Sequence, residues 1–96
     1  MPYIAPEQRV KHDFAIVNLA DTINEEVMDC GTALSIRSGV MNYVITQLIH
    51  QVYGDDLRYA DINEIIGVLE CAKEEFYRVI AGPYEDLKSK ANGPVF

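Results

Sequence analysis

Tryptophan is missing from this 96-residue chain, and cysteine and proline are scarce, with two and four occurrences. Neither Cys30 nor Cys71 sits in a CxxC or Cys/His spacing that holds zinc, so no metal and no disulfide framework is expected. Cys71 falls inside a helical pattern and reads as a small buried residue. Basic residues are few, eight Lys and Arg against fifteen Asp and Glu, for a net charge of −7. That balance excludes a protein that coats DNA or RNA, because phosphate binding needs clustered cations that displace counterions. No window approaches the roughly 20 apolar residues of a membrane span, and MPYIAPEQRV lacks the apolar core of a signal peptide. The expected location is the cytoplasm.

What is present suits one small domain over residues 1–96. A chain this short buries little of its unfolded surface, and self-association is a common remedy. With 49% hydrophobic residues there is apolar material for a core and an interface, which points to a homo-oligomer.

Pro2 and Pro6 discourage helix near the start, so residues 1–12 read as an extended arm whose Tyr3 and Ile4 pack on a neighbouring surface. From Asp13 to Met28, Phe14, Val17, Ala20, Ile23 and Val27 recur at three- and four-residue steps, the pattern of an amphipathic helix. Asn18, Asp21, Thr22, Glu25 and Glu26 form its solvated face. Residues 29–39 break that periodicity with Gly31 and Gly39 and read as a loop, with Ser38 placed to cap the next helix.

The second helix, Gly39 to Tyr53, contains no Asp, Glu, Lys or Arg, which marks it as a covered element. Its apolar residues fill more than half the helical circumference. The remaining arc holds the neutral hydrogen-bonding groups Asn42, Tyr43, Thr46, Gln47 and His50. Gly54-Asp55-Asp56 makes a turn, and Asp61-Ile62-Asn63-Glu64 resembles a capping box opening a third helix that reaches Ala81. Gly82-Pro83 ends or kinks that helix. A short helix from Tyr84 to Ala91 then stops at Asn92-Gly93, leaving an apolar tail over 92–96 that docks somewhere. The expected fold is all-α, a small bundle of three main helices with a short or kinked C-terminal one.

Catalytic chemistry is hard to assemble from these residues. His50 has no nucleophile or acidic partner at a recognisable spacing and reads as a hydrogen-bonding histidine. Glu74-Glu75 lacks the downstream acids of the magnesium cluster in small helical pyrophosphohydrolases, and the sole ExxD, Glu26 to Asp29, lies upstream. Lys73 is the one charge inside the apolar half of the third helix. It is either a ligand-facing cation, with Tyr77 and Tyr84 nearby for stacking, or a lysine whose stem lies along the core while its ammonium reaches water. Gly67 in mid-helix fits the close approach of another helix, and Arg78 follows Glu74 and Glu75 at spacings that make surface ion pairs.

The segments NYVITQLIH at 42–50, LRYADINEIIGVLECAKEEFYR at 57–78, PYED at 83–86 and NGPVF at 92–96, with the opening MPYI, resemble a family of small phage and bacterial proteins of unknown function. Gly82 and Pro94 depart from its pattern, where alanine and a small acidic residue are expected. By analogy with small oligomeric phage proteins, the resemblance implies a non-catalytic, cofactor-free binding protein. In that reading it is a sponge that sequesters a cyclic-nucleotide signal of host defence, such as a cyclic dinucleotide, at oligomer interfaces. The residues implied for that ligand are Tyr43, Arg58, Tyr59, Lys73, Tyr77, Arg78, Tyr84 and Lys88, cations for phosphates and tyrosines for bases. The alternative is a helical protein-protein adaptor or a structural or assembly protein of a phage, its uncharged second helix and apolar tail covering another protein.

Overall fold

A computed structural model describes residues 4–29 and 33–96, and every regular element among them is helical. The helices fall into two compact units. The first, Met1–Gly54, contains α1 (Pro6–Asp29) and α2 (Ala33–Tyr53). The second, Asp55–Phe96, contains α3 (Tyr59–Phe76), a π-helical turn (Tyr77–Ala81) and α4 (Gly82–Asn92), joined end to end. Tyr3, Cys30 and Gly31 lie outside the described residues.

The N-terminal arm is the first correction, since α1 begins at Pro6 and only Ile4 and Ala5 of the described arm are non-helical. Proline at the first helical position loses nothing, because its missing N–H would have had no helical partner. The Ala5 N–H donates to Gln8 Oε1 at 2.9 Å, while the Ala5 carbonyl accepts from the Gln8 and Arg9 N–H groups at 2.9 and 3.2 Å. Gln8 thus supplies the reach-back half of a capping box.

α1 and α2 pack against each other. Ile23 and Val27, at 9% and 6% exposure, are the buried residues among those described. Val17 and Phe14, about two and two and a half turns before Ile23 on the same stripe, remain exposed. The loop expected over 29–39 is also corrected, because α2 starts at Ala33 and takes in Ser38 and Gly39. A single interior glycine costs about 1 kcal/mol relative to alanine, too little to break a 21-residue helix. At the far end Gly54 adopts φ +81 and its N–H donates to the His50 carbonyl at 2.8 Å, the left-handed stop that glycine supplies without strain.

α3 opens two residues before the expected capping box. Arg58 is extended (φ −89, ψ 166), and its backbone N–H donates to Asp61 Oδ2 at 3.0 Å. Asp61 is therefore the residue that reaches back and not the cap. Arg58, with donors only on its side chain, cannot reciprocate, but its Nε lies 3.7 Å from the same oxygen.

The expected break at Gly82-Pro83 takes the form of a wide turn. Pro83 has no N–H to offer the carbonyl four residues back, and the chain absorbs the defect by winding Tyr77–Ala81 as π-helix. The Gly82 N–H donates to the Tyr77 carbonyl, five residues back. A side chain at Gly82 would meet that oxygen at 3.3 Å, closer than ordinary van der Waals contact, so glycine fits this turn without displacing the carbonyl. α4 ends as expected at Gly93, φ +89, whose N–H donates to Ser89 O at 2.8 Å. In the tail, Val95 and Phe96 are fully exposed.

Candidate interaction surfaces

The two units present different surfaces. Between α1 and α2 lies an open groove of about 230 Å³, lined by Leu19, Ile23 and Asn24 of α1 and by Arg37, Met41 and Val44 of α2. Its walls are almost wholly apolar, with Arg37 and Asn24 as the polar groups. Such a concavity takes apolar side chains and offers a cation at its rim. In the second unit no residue of α3, the π turn or α4 is buried. Ile66, Phe76 and Ile80 are 60%, 68% and 59% exposed.

Seven of the eight residues implied for a nucleotide ligand lie in the second unit, and Tyr43 lies exposed in the first. Arg58 and Tyr59 stand at the start of the continuous helix and Lys88 near its end, about 45 Å apart at 1.5 Å per residue. No single site on one helix gathers them. The cations have acidic neighbours one turn away. Lys73 Nζ lies 3.4 Å from Glu70 Oε1, and Arg78 Nη2 donates to both carboxylate oxygens of Glu75 at 3.0 and 3.2 Å. These are exposed i,i+3 pairs, each contributing a few tenths of a kcal/mol. Lys88 is arranged differently, its Nζ 5.6 Å from the centroid of the Tyr84 ring.

Tyr77 is drawn into a contact that helical periodicity does not foresee. Its hydroxyl donates to Glu85 Oε2 at 2.9 Å, across eight residues. In a regular α-helix residues eight apart point about 80° away from each other, whereas residues seven apart share a face. The π turn absorbs one extra residue and so rephases the helix, setting Tyr77 and Glu85 on one side. The hydrogen bond to Glu85, followed by the carboxylate charge of Glu85 and then slight burial and Asp86, raises the Tyr77 phenol above its ordinary value of 10.0.

The polar arc of α2 is partly linked, with Thr46 Oγ1 donating to Asn42 Oδ1 at 3.4 Å. Gly67 has open space where a side chain would project, and Cys71 is half-buried. Arg37, Glu70 and Glu85 were not singled out by sequence reasoning. The i,i+3 spacing of Glu70 and Lys73 was available as a signal; the Tyr77–Glu85 contact was not, because it depends on the π turn. Among the described residues no group of three or more His, Cys, Asp or Glu could hold a metal ion.

One family pattern matches residues 1–95. The chain belongs to the family described as Domain of unknown function (DUF6899). The match extends the resemblance seen in the segments from 42 onward to nearly the whole chain, through both units. No curated protein and no solved structure matches it. No helix among the described residues is long and apolar enough to cross a membrane.

Proposed function

We propose that this protein is a helical interaction module that binds without chemistry, an adaptor or assembly protein whose apolar helix faces are covered by protein. One observation carries the reading: of all the described apolar side chains only Ile23 and Val27 are buried, while the stripes of α1 and α3 and much of α2 stay open. Large contiguous apolar surfaces on a small protein mark interaction sites, and a helix with no buried side chain is not stable in water by local hydrogen bonds alone. The chain's alternatives differ in what they bind. Lys88 stacked over Tyr84 favours a second reading, in which copies together gather the dispersed cations and tyrosines into a pocket that sequesters a cyclic-nucleotide defence signal.

A thermal-shift panel of cyclic dinucleotides and other cyclic nucleotides, with recovery of the ligand after denaturation, separates these. The adaptor reading expects no shift from any nucleotide, together with strong binding of an apolar dye at low protein concentration that falls as the protein associates. A marked shift with the nucleotide returned intact supports the sponge and sinks the adaptor. A shift with the nucleotide consumed sinks both and points to an enzyme.

A further inference from the structure

The second unit is a continuous 34-residue helix whose apolar stripe has no packing partner inside that unit. Ile62, Ile66, Leu69, Phe76 and Ile80 run along it, all exposed. What can cover this stripe is constrained by the charges beside it. Over residues 59–75 the helix carries Asp61, Glu64, Glu70, Glu74 and Glu75 against Lys73 alone; over 76–92 it carries Arg78, Lys88 and Lys90 against Glu85 and Asp86. The first half is net −4 and the second net +1.

A helix with this asymmetry is complementary to itself in one orientation. Laid antiparallel on a second copy, the acidic half of each faces the basic half of the other, and the helix dipoles oppose favourably. Laid parallel, acidic faces acidic. A two-fold arrangement also matches the same patch to itself, as an isologous interface requires. We propose that the α3–α4 helix pairs antiparallel with the α3–α4 helix of a second copy through the stripe of Ile62, Ile66, Leu69, Phe76 and Ile80. This rests on the interaction-module reading and names its partner.

Lys73 has a defined place in such a pair. It is the one charge in the stripe, and its Glu70 neighbour keeps it neutralised as the stripe is covered. A lone lysine in a helix seam fixes orientation at a cost in stability. Lys73→Leu therefore tightens self-association, whereas at a phosphate-binding site the same change abolishes binding.

Sedimentation equilibrium of the full chain across a concentration range tests the pairing. The expected result is a species of at least twice 10.8 kDa that Phe76→Glu and Ile80→Glu each weaken by tenfold or more and Lys73→Leu strengthens. Should the glutamate variants unfold, orientation is read independently on the assembled protein. A spin label at Asn92→Cys, in a Cys30→Ser, Cys71→Ser background, sits about 50–60 Å from its counterpart in an antiparallel pair and close to it in a parallel one. An oligomer indifferent to Phe76→Glu and Ile80→Glu, or one with close Asn92 labels, overturns the antiparallel pairing but leaves the interaction reading standing. A monomer that unfolds cooperatively at every concentration overturns both.

Discussion

The two units of this chain are helical for different reasons. In the first, α1 and α2 lean on each other and bury Ile23 and Val27 between them, so tertiary contact supports the helices. In the second, one continuous helix carries only devices within its own length: the Asp61 reach-back at its start, Glu70–Lys73 and Glu75–Arg78 pairs along it, the Tyr77–Glu85 bond over the π turn, and Gly93 at its end. Local devices contribute tenths of a kcal/mol each and cannot hold a helix that buries nothing. On the pairing proposed above, the second unit is the one whose structure depends on a partner.

The comparison can be broken by truncating matched aliphatic residues. Ile23→Ala is expected to cost roughly 2 kcal/mol, at the low end for buried isoleucine because the adjoining groove lets neighbours settle. Ile66→Ala is expected to cost under about 0.5 kcal/mol in dilute protein, as surface changes do, and to approach the Ile23→Ala value once the protein is concentrated enough to pair. Chemical denaturation at two concentrations checks both. Equal costs at high dilution would erase the distinction between the units.

Pro83→Ala sharpens the account of the π turn. Restoring an N–H lets the carbonyl of Val79 regain its helical partner, so the turn is expected to revert to α-helix with a gain of about 1–3 kcal/mol in helix stability. Residues 77 and 85 then fall out of phase and the Tyr77–Glu85 bond is lost. Circular dichroism reads the first effect, and phenolate absorbance the second, as the return of one tyrosine to ordinary titration.

Asp61→Ala removes the carboxylate that accepts the Arg58 N–H and is expected to cost about 0.5–1 kcal/mol. Hydrogen exchange should show the loss confined to the first turn of α3. Exchange spreading through α4 would mean the helix is a more cooperative unit than its local bonds suggest.

The smallest effect is the pH dependence carried by Tyr77. Its folded pKa is raised, so its contribution to stability is complete below the unfolded value near 10 and disappears as pH rises through the higher folded value. Tyr77→Phe should flatten stability in that alkaline window and leave neutral pH nearly unchanged, and thermal melts on the two proteins from neutral to alkaline pH test it.

Much of the fold was legible in residue order. The spacing of Phe14, Val17, Ala20, Ile23 and Val27 called for α1, the absence of charge in residues 39–54 marked α2, and Asn92-Gly93 marked the last stop. The errors lay at helix starts. Pro6 and Ser38 were read as breakers or caps, when a first-position proline with Gln8 three residues after Ala5 starts a helix, and one glycine at 39 does not end one. The candidate ligand residues were chosen by type, and type says nothing about convergence. Seven of the eight are strung along a single helix, which does not gather them at one place.

Sequence by itself determined that this chain is helical and acidic, and that it carries more apolar surface than it has obvious means to bury, because those properties follow from composition and from the 3.6-residue period. Only the tertiary structure decided which apolar residues find neighbours. Ile23 and Val27 are buried while Phe14 on the same stripe is not, since burial depends on where α2 lies against α1. It also decided that Tyr77 meets Glu85, because a missing N–H at Pro83 widens one turn and rephases all that follows. Neither fact is encoded in spacing alone.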